Sequence, residues 1–176
     1  MKIYLVLDNI RSTYNVGAIL RTAEGFGVER VYLSGVTPRY DDARVLPHLK
    51  EKLNKQIAKT ALGAEKMVKI YACDDINTTL DELKREEGAK VLGLENNIRD
   101  ARLLQIGSEK MSELLSALRV LEKPVVLVLG EEVNGISNPL YEIIDNFLEI
   151  PMRGQKESFN VSVATGIALF ALVFGS

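Results

Sequence analysis

Three segments of this chain combine polar side chains with glycines in patterns that could bind a ligand or support a reaction. Their sequences are NVGAILRTAEGFG from residue 15, LGEEVNGISNP from residue 129 and IPMRGQKESFNVSVATGI from residue 150. Arginine presents a rigid fork of donors to oxyanions, and glycine lets a ligand approach the main chain closely. The three segments therefore predict a site that contacts a phosphate, a ribose or a nucleobase.

In the first segment, Arg21 falls on the outward face of a predicted helix, between two glycines. Asn15 is well placed to cap this helix. Gly17 and Gly25 lie about one turn on either side of Arg21, and each glycine costs roughly 1 kcal/mol relative to alanine. Two such costs indicate that a phosphate, a ribose or a partner backbone approaches closely. The alternative is an exposed Arg21–Glu24 ion pair with incidental glycines.

In the second segment, a buried strand ends at Gly130, and two carboxylates follow it. Gly135 then permits another tight turn before Pro139 opens a helix. Glycines at this place would let adenine or ribose reach the main chain, while Glu132 could accept a hydrogen bond from a hydroxyl. The alternative is an ordinary loop with solvated acids. A magnesium site would need a second acidic cluster, and because none is obvious we expect no metal.

In the third segment, Ser158 and Asn160 alternate around Phe159, so polar and apolar side chains can face different partners at the start of a helix. Either polar residue could instead be a simple helix cap. The helix predicted over Asn160–Phe174 is apolar nearly all round. It therefore needs cover on several sides, either deep in the core or across a subunit interface.

Composition excludes several classes of protein. With one cysteine and one histidine, the chain can form neither an internal disulfide framework nor a Cys/His zinc cluster. It has no phosphate-binding loop, no dinucleotide fingerprint and no nucleophile elbow, which removes most support for hydrolases and dehydrogenases. The N-terminus lacks the pattern of a secretory signal, and the longest apolar run is shorter than the ~20 residues of a membrane span. We expect a soluble cytoplasmic protein.

Apolar runs alternate with amphipathic segments along the chain, which is typical of a parallel sheet covered by helices. Strands are predicted at Lys2–Asp8, Glu29–Ser34, Val68–Cys73, Lys90–Leu94, Pro124–Leu129 and Phe147–Pro151. Helices are predicted at Asn15–Phe26, Leu49–Leu62, Thr78–Glu87, Ser108–Glu122, Pro139–Asp145 and Asn160–Phe174. The stretch Glu95–Gly107 is predicted to be a surface loop, and no composition shift indicates a domain boundary.

Positive charge is concentrated in one part of an otherwise acidic chain. Residues 39–69 contain eight Lys/Arg against four Asp/Glu, although the formal net charge of the whole chain is −2. A helical register places Leu49, Leu53 and Ile57 together and gathers lysines on a different face. This face is either a solvated helix surface or a patch that contacts phosphates.

Taken in order and spacing, the three segments resemble the sequence motifs of SpoU-type, TrmH-like ribose methyltransferases, members of the SPOUT superfamily. The resemblance runs from Leu5 to Phe174. It implies transfer of a methyl group from S-adenosylmethionine to a ribose 2′-hydroxyl of structured RNA, either tRNA or rRNA. It also implies a C-terminal deep trefoil knot and a homodimer formed through the knot region and the C-terminal helix.

The resemblance also implies roles for individual residues. The implied catalytic residues are Asn15, Arg21, Glu132, Ser158 and Asn160. The implied cofactor-binding residues are Leu94, Glu95, Gly130, Ile150 and Phe159, with Gly130 and Ile150 acting through the main chain. The family usually has leucine in place of Phe159, which changes the shape of the pocket. Asn96–Lys123 is more elaborate than a minimal member requires.

The overall prediction is a single α/β domain over residues 1–176, with a mostly parallel sheet covered by helices on both faces and a knotted C-terminus. Without a separate RNA-binding domain, RNA recognition would use this domain's own cations. These are Arg39, Arg44, Lys52, Lys55 and Lys59. One alternative is a catalytically silent RNA-binding or assembly protein of the same fold, against which the five catalytic candidates argue. Another is a flavodoxin-like nucleotide-binding enzyme, which the missing phosphate loop disfavours.

Overall fold

The computed structural model, which describes residues 1–131 and 134–175, contains seven strands and five α-helices. The strands are β1 (Ile3–Asp8), β2 (Arg30–Ser34), β3 (Ile70–Cys73), β4 (Lys90–Leu94), β5 (Leu103–Gln105), β6 (Val125–Leu129) and β7 (Asn146–Glu149). The helices are α1 (Thr13–Gly25), α2 (Pro47–Ala61), α3 (Ile76–Glu87), α4 (Glu109–Val120) and α5 (Val161–Phe174). Short 3-10 segments occupy Ala64–Lys66 and Asn138–Glu142.

All the strands lie in one sheet with the order β3-β2-β1-β6-β4-β7-β5. Neighbouring strands pair in parallel throughout. Every residue of β1 and β6 is buried, because helices cover both faces of a parallel sheet and the central strands need apolar side chains on both sides. The predicted single α/β domain with a mostly parallel sheet is confirmed.

The core has two layers, one on each face of the sheet. On one face, Leu5 and Leu127 pack with Ile19 of α1, Leu115 of α4 and Leu169 of α5. On the other face, side chains of β1, β4, β6 and β7 pack with α3 and the 3-10 segment. The buried residues of this second layer include Val6, Val91, Val126, Phe147, Leu80, Leu83 and Leu140. Both layers are made mostly of aliphatic side chains, as the alternating apolar pattern predicted.

Several local predictions were wrong at the ends or in the type of an element. Ser12, rather than Asn15, caps α1, and its Oγ accepts a hydrogen bond from the Asn15 amide at 3.2 Å. The helix predicted over Pro139–Asp145 is a 3-10 segment. The stretch predicted as a surface loop contains β5, which is three residues long and pairs only with β7. Such a short edge strand has no room for an alternating pattern.

The prediction for the apolar face of α2 was only partly right, and the described chain covers only part of α5. In α2, which packs mainly on α1, Ile57 is fully buried, but Leu49 in the first turn is 44% exposed. In α5, the described helix buries one side, whereas Phe170 and Phe174 are 60% and 64% exposed. None of the described helices combines the length and apolar character that would let it cross a membrane.

Gly17 has a structural explanation in the crossing of α1 over α2. A Cβ atom at this position would lie 2.2 Å from Thr60 Oγ1 and 2.3 Å from the Ile57 carbonyl oxygen. Atoms cannot approach this closely, so only glycine allows the two helices to pack as they do. The interpretation that Gly17 leaves room for a ligand beside Arg21 was therefore wrong, and the approaching backbone is that of α2. A Cβ atom at Gly25 would meet no atom within 4 Å.

We predict that Gly17→Ala lowers the free energy of unfolding by about 1–3 kcal/mol, because the added methyl group forces α1 and α2 apart. Gly25→Ala is the matched control at the other end of the same helix. It should leave the free energy of unfolding unchanged or raise it by up to about 1 kcal/mol, because alanine favours helix over glycine. Urea denaturation measures both values, and an equally stable Gly17→Ala variant would contradict the packing argument.

Candidate active site

The carboxyl ends of three neighbouring strands frame a cleft at one edge of the sheet. Leu94, the last residue of β4, pairs with Leu129 of β6 on one side and with Leu148 of β7 on the other. The chain leaves all three strands at this edge, which is where open α/β sheets bind ligands. The cleft has a volume of about 340 Å³. Its lining comprises residues 94–97, 129–131, 135, 150, 157–161 and 164.

A tight turn after β6 forms one wall of the cleft. The main chains of Glu131 and Gly135 exchange two hydrogen bonds of 3.0 and 2.9 Å, and Gly135 adopts a φ of 69°. A Cβ atom on Gly130 would lie within 2.4 Å of main-chain atoms of Gly135 and Ile136. Gly130 lines the cleft as predicted, but the space beside its Cα is filled by the returning turn. The conformation of the turn therefore requires glycine at both positions.

Glu95 connects the end of β4 to this turn. Its Oε2 accepts a hydrogen bond from the Ile136 amide at 2.9 Å, and its Oε1 accepts one from the Asn96 amide at 3.2 Å. A Cβ atom on Gly135 would lie 2.1 Å from Glu95 Oε2. The predicted cofactor-binding residue Glu95 does line the cleft, and its carboxylate also fixes the shape of the wall.

Asn96 ties the opposite wall to the end of β4 with its side-chain amide. Its Oδ1 accepts from the Ile150 amide at 3.1 Å, and its Nδ2 donates to the carbonyl oxygens of Ile150 at 3.0 Å and Glu157 at 3.3 Å. Asn97 Nδ2 adds a bond of 3.2 Å to the Glu157 oxygen. The Ile150 amide is thus occupied, which leaves a second lone pair on its carbonyl oxygen as the main-chain group open to a ligand.

The first and third segments meet at a pair of asparagine side chains. Asn160 caps α5, because its Oδ1 accepts from the Ser162 amide at 2.9 Å. Its Nδ2 donates to Asn15 Oδ1 at 3.2 Å. The alternative that Asn160 is a helix cap is therefore correct, and the same side chain also donates a hydrogen bond to Asn15. Ser158 and Phe159 are exposed and line the cleft beside it.

Arg21 lies apart from these three residues. Arg21 is exposed on α1, and no described residue forms a hydrogen bond or an ion pair with it, Glu24 included. It follows Asn15 by six residues, which is roughly 9 Å along a helix axis, and it does not line the cleft. Glu132 lies outside the described residues. Within one chain, the structure brings together Asn15, Ser158 and Asn160 of the five catalytic candidates.

The described lining of the cleft is acidic. It contains Glu95, Glu131 and Glu157, and it includes no lysine or arginine over the part of the chain that the structure describes. Arg11 stands beside this lining, with its guanidinium 3.4 Å from the Glu131 carboxylate. Because like charges repel across a partly enclosed site, this lining disfavours a phosphate and favours a ligand with positive charge.

The five predicted RNA-binding cations differ in whether they form ion pairs or hydrogen bonds within the described part of the chain. Lys55 pairs with Glu51 at 2.7 Å, and Arg44 pairs with Asp42 at 2.8 Å. The hydrogen bond from Arg44 lowers the pKa of Asp42 to about 2, so this pair persists at neutral pH. Arg39 is half-buried and donates to the Leu33 carbonyl oxygen at 3.4 Å. These three contacts indicate a structural role for part of the patch.

Lys52 and Lys59 remain as the cations best placed for phosphates. Both are exposed on α2, and neither forms an ion pair with any residue that the structure describes. Lys59 Nζ lies 5.7 Å from the centre of the Tyr14 ring, at the start of α1. The basic surface of α2 is therefore continuous with the helix that carries Asn15.

The fold and the cleft define the class of protein, an α/β domain with a ligand site at the carboxyl edge of a parallel sheet. The model of the SpoU rRNA Methylase family matches residues 2–170. The chain therefore belongs to this family, and the resemblance of its three segments is confirmed.

Two curated relatives are similar over nearly the whole chain. Both are 23S rRNA (guanosine-2′-O-)-methyltransferases RlmB. The protein from Pseudomonas aeruginosa is 32% identical over 169 residues, covering 96% of this chain and 57% of the relative. The protein from Nitrosomonas europaea is 35% identical over 166 residues, covering 94% of this chain and 54% of the relative. The chain thus spans little more than half the length of these relatives.

Solved structures show the same fold. A TrmH/SpoU tRNA modifying enzyme from A. aeolicus matches with a TM-score of 0.73 and 27% identity, covering 99% of this chain and 75% of that one. An AdoMet-bound rRNA methyltransferase from Sinorhizobium meliloti matches with a TM-score of 0.72 and 24% identity, covering 97% of this chain and 55% of that one. At that lower identity the second likeness supports the fold alone.

Sequence reasoning missed the role of the two asparagines after β4. They fall in the stretch that was predicted to be a surface loop, so their side chains received no function. A signal was present nevertheless, because Asn96 and Asn97 follow a buried strand at the edge where ligand sites form. Arg11 was also missed, and its contact with Glu131 depends on how two distant loops meet.

We predict that Asn96→Ala exposes the Ile150 amide to hydrogen exchange, because that amide loses its acceptor. The carbonyl oxygens of Ile150 and Glu157 also lose the bonds that Asn96 Nδ2 donates to them. The free energy of unfolding should fall by about 1–3 kcal/mol. Asn97→Gly is the control, since it removes the side-chain bond to the Glu157 oxygen without straining the backbone of residue 97, whose φ is 59°, and it should leave Ile150 protected. Equal protection of the Ile150 amide in wild type and Asn96→Ala would contradict the role of Asn96 in holding the loop after β7.

Proposed function

We propose that this chain transfers a methyl group from S-adenosylmethionine to a ribose 2′-hydroxyl of tRNA or rRNA. The observation that carries the proposal is the acidic cleft beside the Asn15–Asn160 pair, in a chain of the SpoU family. The relatives named above are 23S rRNA 2′-O-methyltransferases, and one structural neighbour is a tRNA modifying enzyme. RNA recognition through this domain's own surface and a cytoplasmic location are part of the proposal.

The cleft suits the methyl donor in size and in charge. Its volume of about 340 Å³ falls in the range of roughly 300–1,000 Å³ that is typical of small-molecule sites. When bound, S-adenosylmethionine supplies an electrophilic methyl group on a positively charged sulfur. Glu95, Glu131 and Glu157 favour such a cation over an anionic nucleotide, which argues against the flavodoxin-like alternative. Leu94 and Phe159 would provide apolar walls, and Gly130 and Ile150 would offer main-chain groups.

The asparagine pair and Ser158 would orient the nucleophile. Methyl transfer needs an oxygen held in line with the methyl group, so positioning supplies much of the rate. Asn15, Ser158 and Asn160 offer amide and hydroxyl groups at the rim of the cleft, where a ribose hydroxyl can be held by hydrogen bonds. We assign Glu132 to the same group of residues on the resemblance alone.

Arg21 would act on the RNA rather than on the donor. Its guanidinium stays protonated at ordinary pH and cannot serve as a proton acceptor. It is exposed and uncommitted among the described contacts, so it can bind the phosphate next to the target ribose. There it would also stabilise negative charge that develops on the 2′-oxygen.

We further propose the trefoil knot that the family resemblance implies. Strand β7 lies between β4 and β5, both of which precede it in the chain. The segment after β7 is then fastened to Asn96 before α5 begins. This arrangement supports a chain that passes through the connection between β4 and β5.

A homodimer through the knot region and α5 is also part of the proposal. The outward side of α5 presents Val163, Phe170 and Phe174, which are 50%, 60% and 64% exposed. Removing such apolar area from water is worth roughly 25 cal/mol per Å². A second copy packed on this helix would supply the cover that its sequence requires.

The activity test uses unmodified tRNA and 23S rRNA transcripts as separate arms, with nucleosides analysed by mass spectrometry after incubation with the donor. We predict a 2′-O-methylated nucleoside in one arm. Arg21→Ala should reduce turnover by about 10²–10³-fold, the usual effect of removing a group that stabilises developing charge. Its affinity for the donor in calorimetry should be unchanged, because Arg21 does not line the cleft.

Arg21→Lys separates charge from geometry, since lysine keeps the charge but lacks the planar fork. Arg85→Ala is the matched control, because Arg85 is an exposed arginine on α3 that pairs only with its neighbour Glu86. Wild-type turnover in Arg21→Ala would contradict the role of this residue. RNA binding without any methylated nucleoside would instead favour the catalytically silent alternative.

A further inference from the structure

Tyr14 is an exposed aromatic side chain at the rim of the site, and none of the roles described so far uses it. It occupies the first turn of α1 and is 45% exposed. The next residue is Asn15, whose side chain meets Asn160. Successive helix residues project about 100° apart, so Tyr14 points to a side of α1 adjacent to the asparagine pair rather than into it.

The main chain that carries Tyr14 is held rigidly. Thr60 Oγ1 donates to the Tyr14 carbonyl oxygen at 2.9 Å, and Thr13 Oγ1 donates to Gln56 Oε1 at 3.1 Å. Ser12 caps the helix one residue earlier. The ring is therefore presented on a fixed backbone, which reduces the entropy that ordering a binding residue would cost.

A cation accompanies the ring. Lys59 Nζ lies 5.7 Å from the ring centre, and Lys52 is exposed further along the same helix. An exposed aromatic ring next to uncommitted lysines combines the two elements of single-stranded RNA recognition, a stacking surface for bases and positive charge for the backbone.

We propose that Tyr14 stacks on an unpaired nucleobase next to the methylated nucleotide, while Lys59 contacts the adjoining phosphate. This inference rests on the proposed RNA methylation, and it adds a base-binding subsite to it. The side chain of Asn15 faces the reacting ribose and that of Tyr14 faces the neighbouring side, so the stacked base flanks the target. Aromatic stacking accepts any base, and the subsite therefore selects unpaired RNA rather than a particular sequence.

The chain contains no tryptophan, which makes a direct test possible. In Tyr14→Trp the single indole keeps a stacking surface and reports on it, so unmodified tRNA or 23S rRNA transcripts should quench its fluorescence. Tyr71→Trp is the matched control. Tyr71 lies on edge strand β3, is 43% exposed and stacks on Tyr32 of β2. Tyr32 packs on the core layer that lies on the face of the sheet opposite to α1. Its emission should not respond to RNA.

Kinetics give a second readout. Tyr14→Ala should raise KM for the RNA substrate by roughly 10- to 100-fold, which is the range expected for loss of one stacked base. The melting temperature of the protein and its affinity for the methyl donor should be unchanged. Tyr14→Phe retains the stacking ring and should restore KM to within about threefold. The salt dependence of RNA binding should flatten in Lys59→Ala but not in Tyr14→Ala, because stacking releases no counterions.

Two results would overturn the subsite. One is an indole at position 14 that RNA leaves unquenched while fluorescence anisotropy shows the labelled RNA bound. The other is a Tyr14→Ala variant that changes the oligomeric state in sedimentation with KM unaltered, which would place the ring at a contact between copies. If the wild type binds RNA but does not methylate it, the proposed function fails, whereas quenching of the indole at position 14 would still report stacking.

Discussion

The side-by-side parallel pairing of β4 with β6 and β7 is the constraint on which the rest of the structure depends. Because Leu94 pairs with both Leu129 and Leu148, the three strands end at the same edge, and the residues that follow must turn away from a common point. Gly93 permits this packing, since a Cβ atom there would lie within 2.9 Å of Ile136, Ile144 and Phe147. The cleft is the space that these diverging chains leave.

Two consecutive side chains then hold the walls of that space. Glu95 accepts a hydrogen bond from the turn after β6, and Asn96 pairs with the main chain after β7. The end of one strand thus fixes both loops that a ligand would contact. The same residue, Glu95, contributes negative charge, so the groups that shape the cleft also determine which ligands it favours. The cleft therefore favours a cationic ligand over a phosphate, partly because Glu95 both shapes the cleft and carries negative charge.

Much of this arrangement could be predicted from sequence, because buried strands and amphipathic helices leave strong local patterns. Asn160 was placed correctly at the start of α5, and all five cofactor candidates line the cleft. Other features depend on contacts between distant segments and have no local signal. Gly17 was interpreted as room for a phosphate, a ribose or a partner backbone, but it allows α1 to cross α2 of the same chain. Asn96 acts on residues more than 50 positions away, and β5 is too short for periodicity to reveal.

The central claim is that the acidic cleft holds the methyl donor beside the asparagine pair. A crystal structure of the protein soaked with S-adenosylhomocysteine tests this most directly. The account predicts density for the ligand between the end of β4 and Phe159, with its sulfur on the side of Asn15 and Asn160. Ligand density elsewhere on the molecule, or none in the cleft at a concentration that saturates binding in calorimetry, would contradict it.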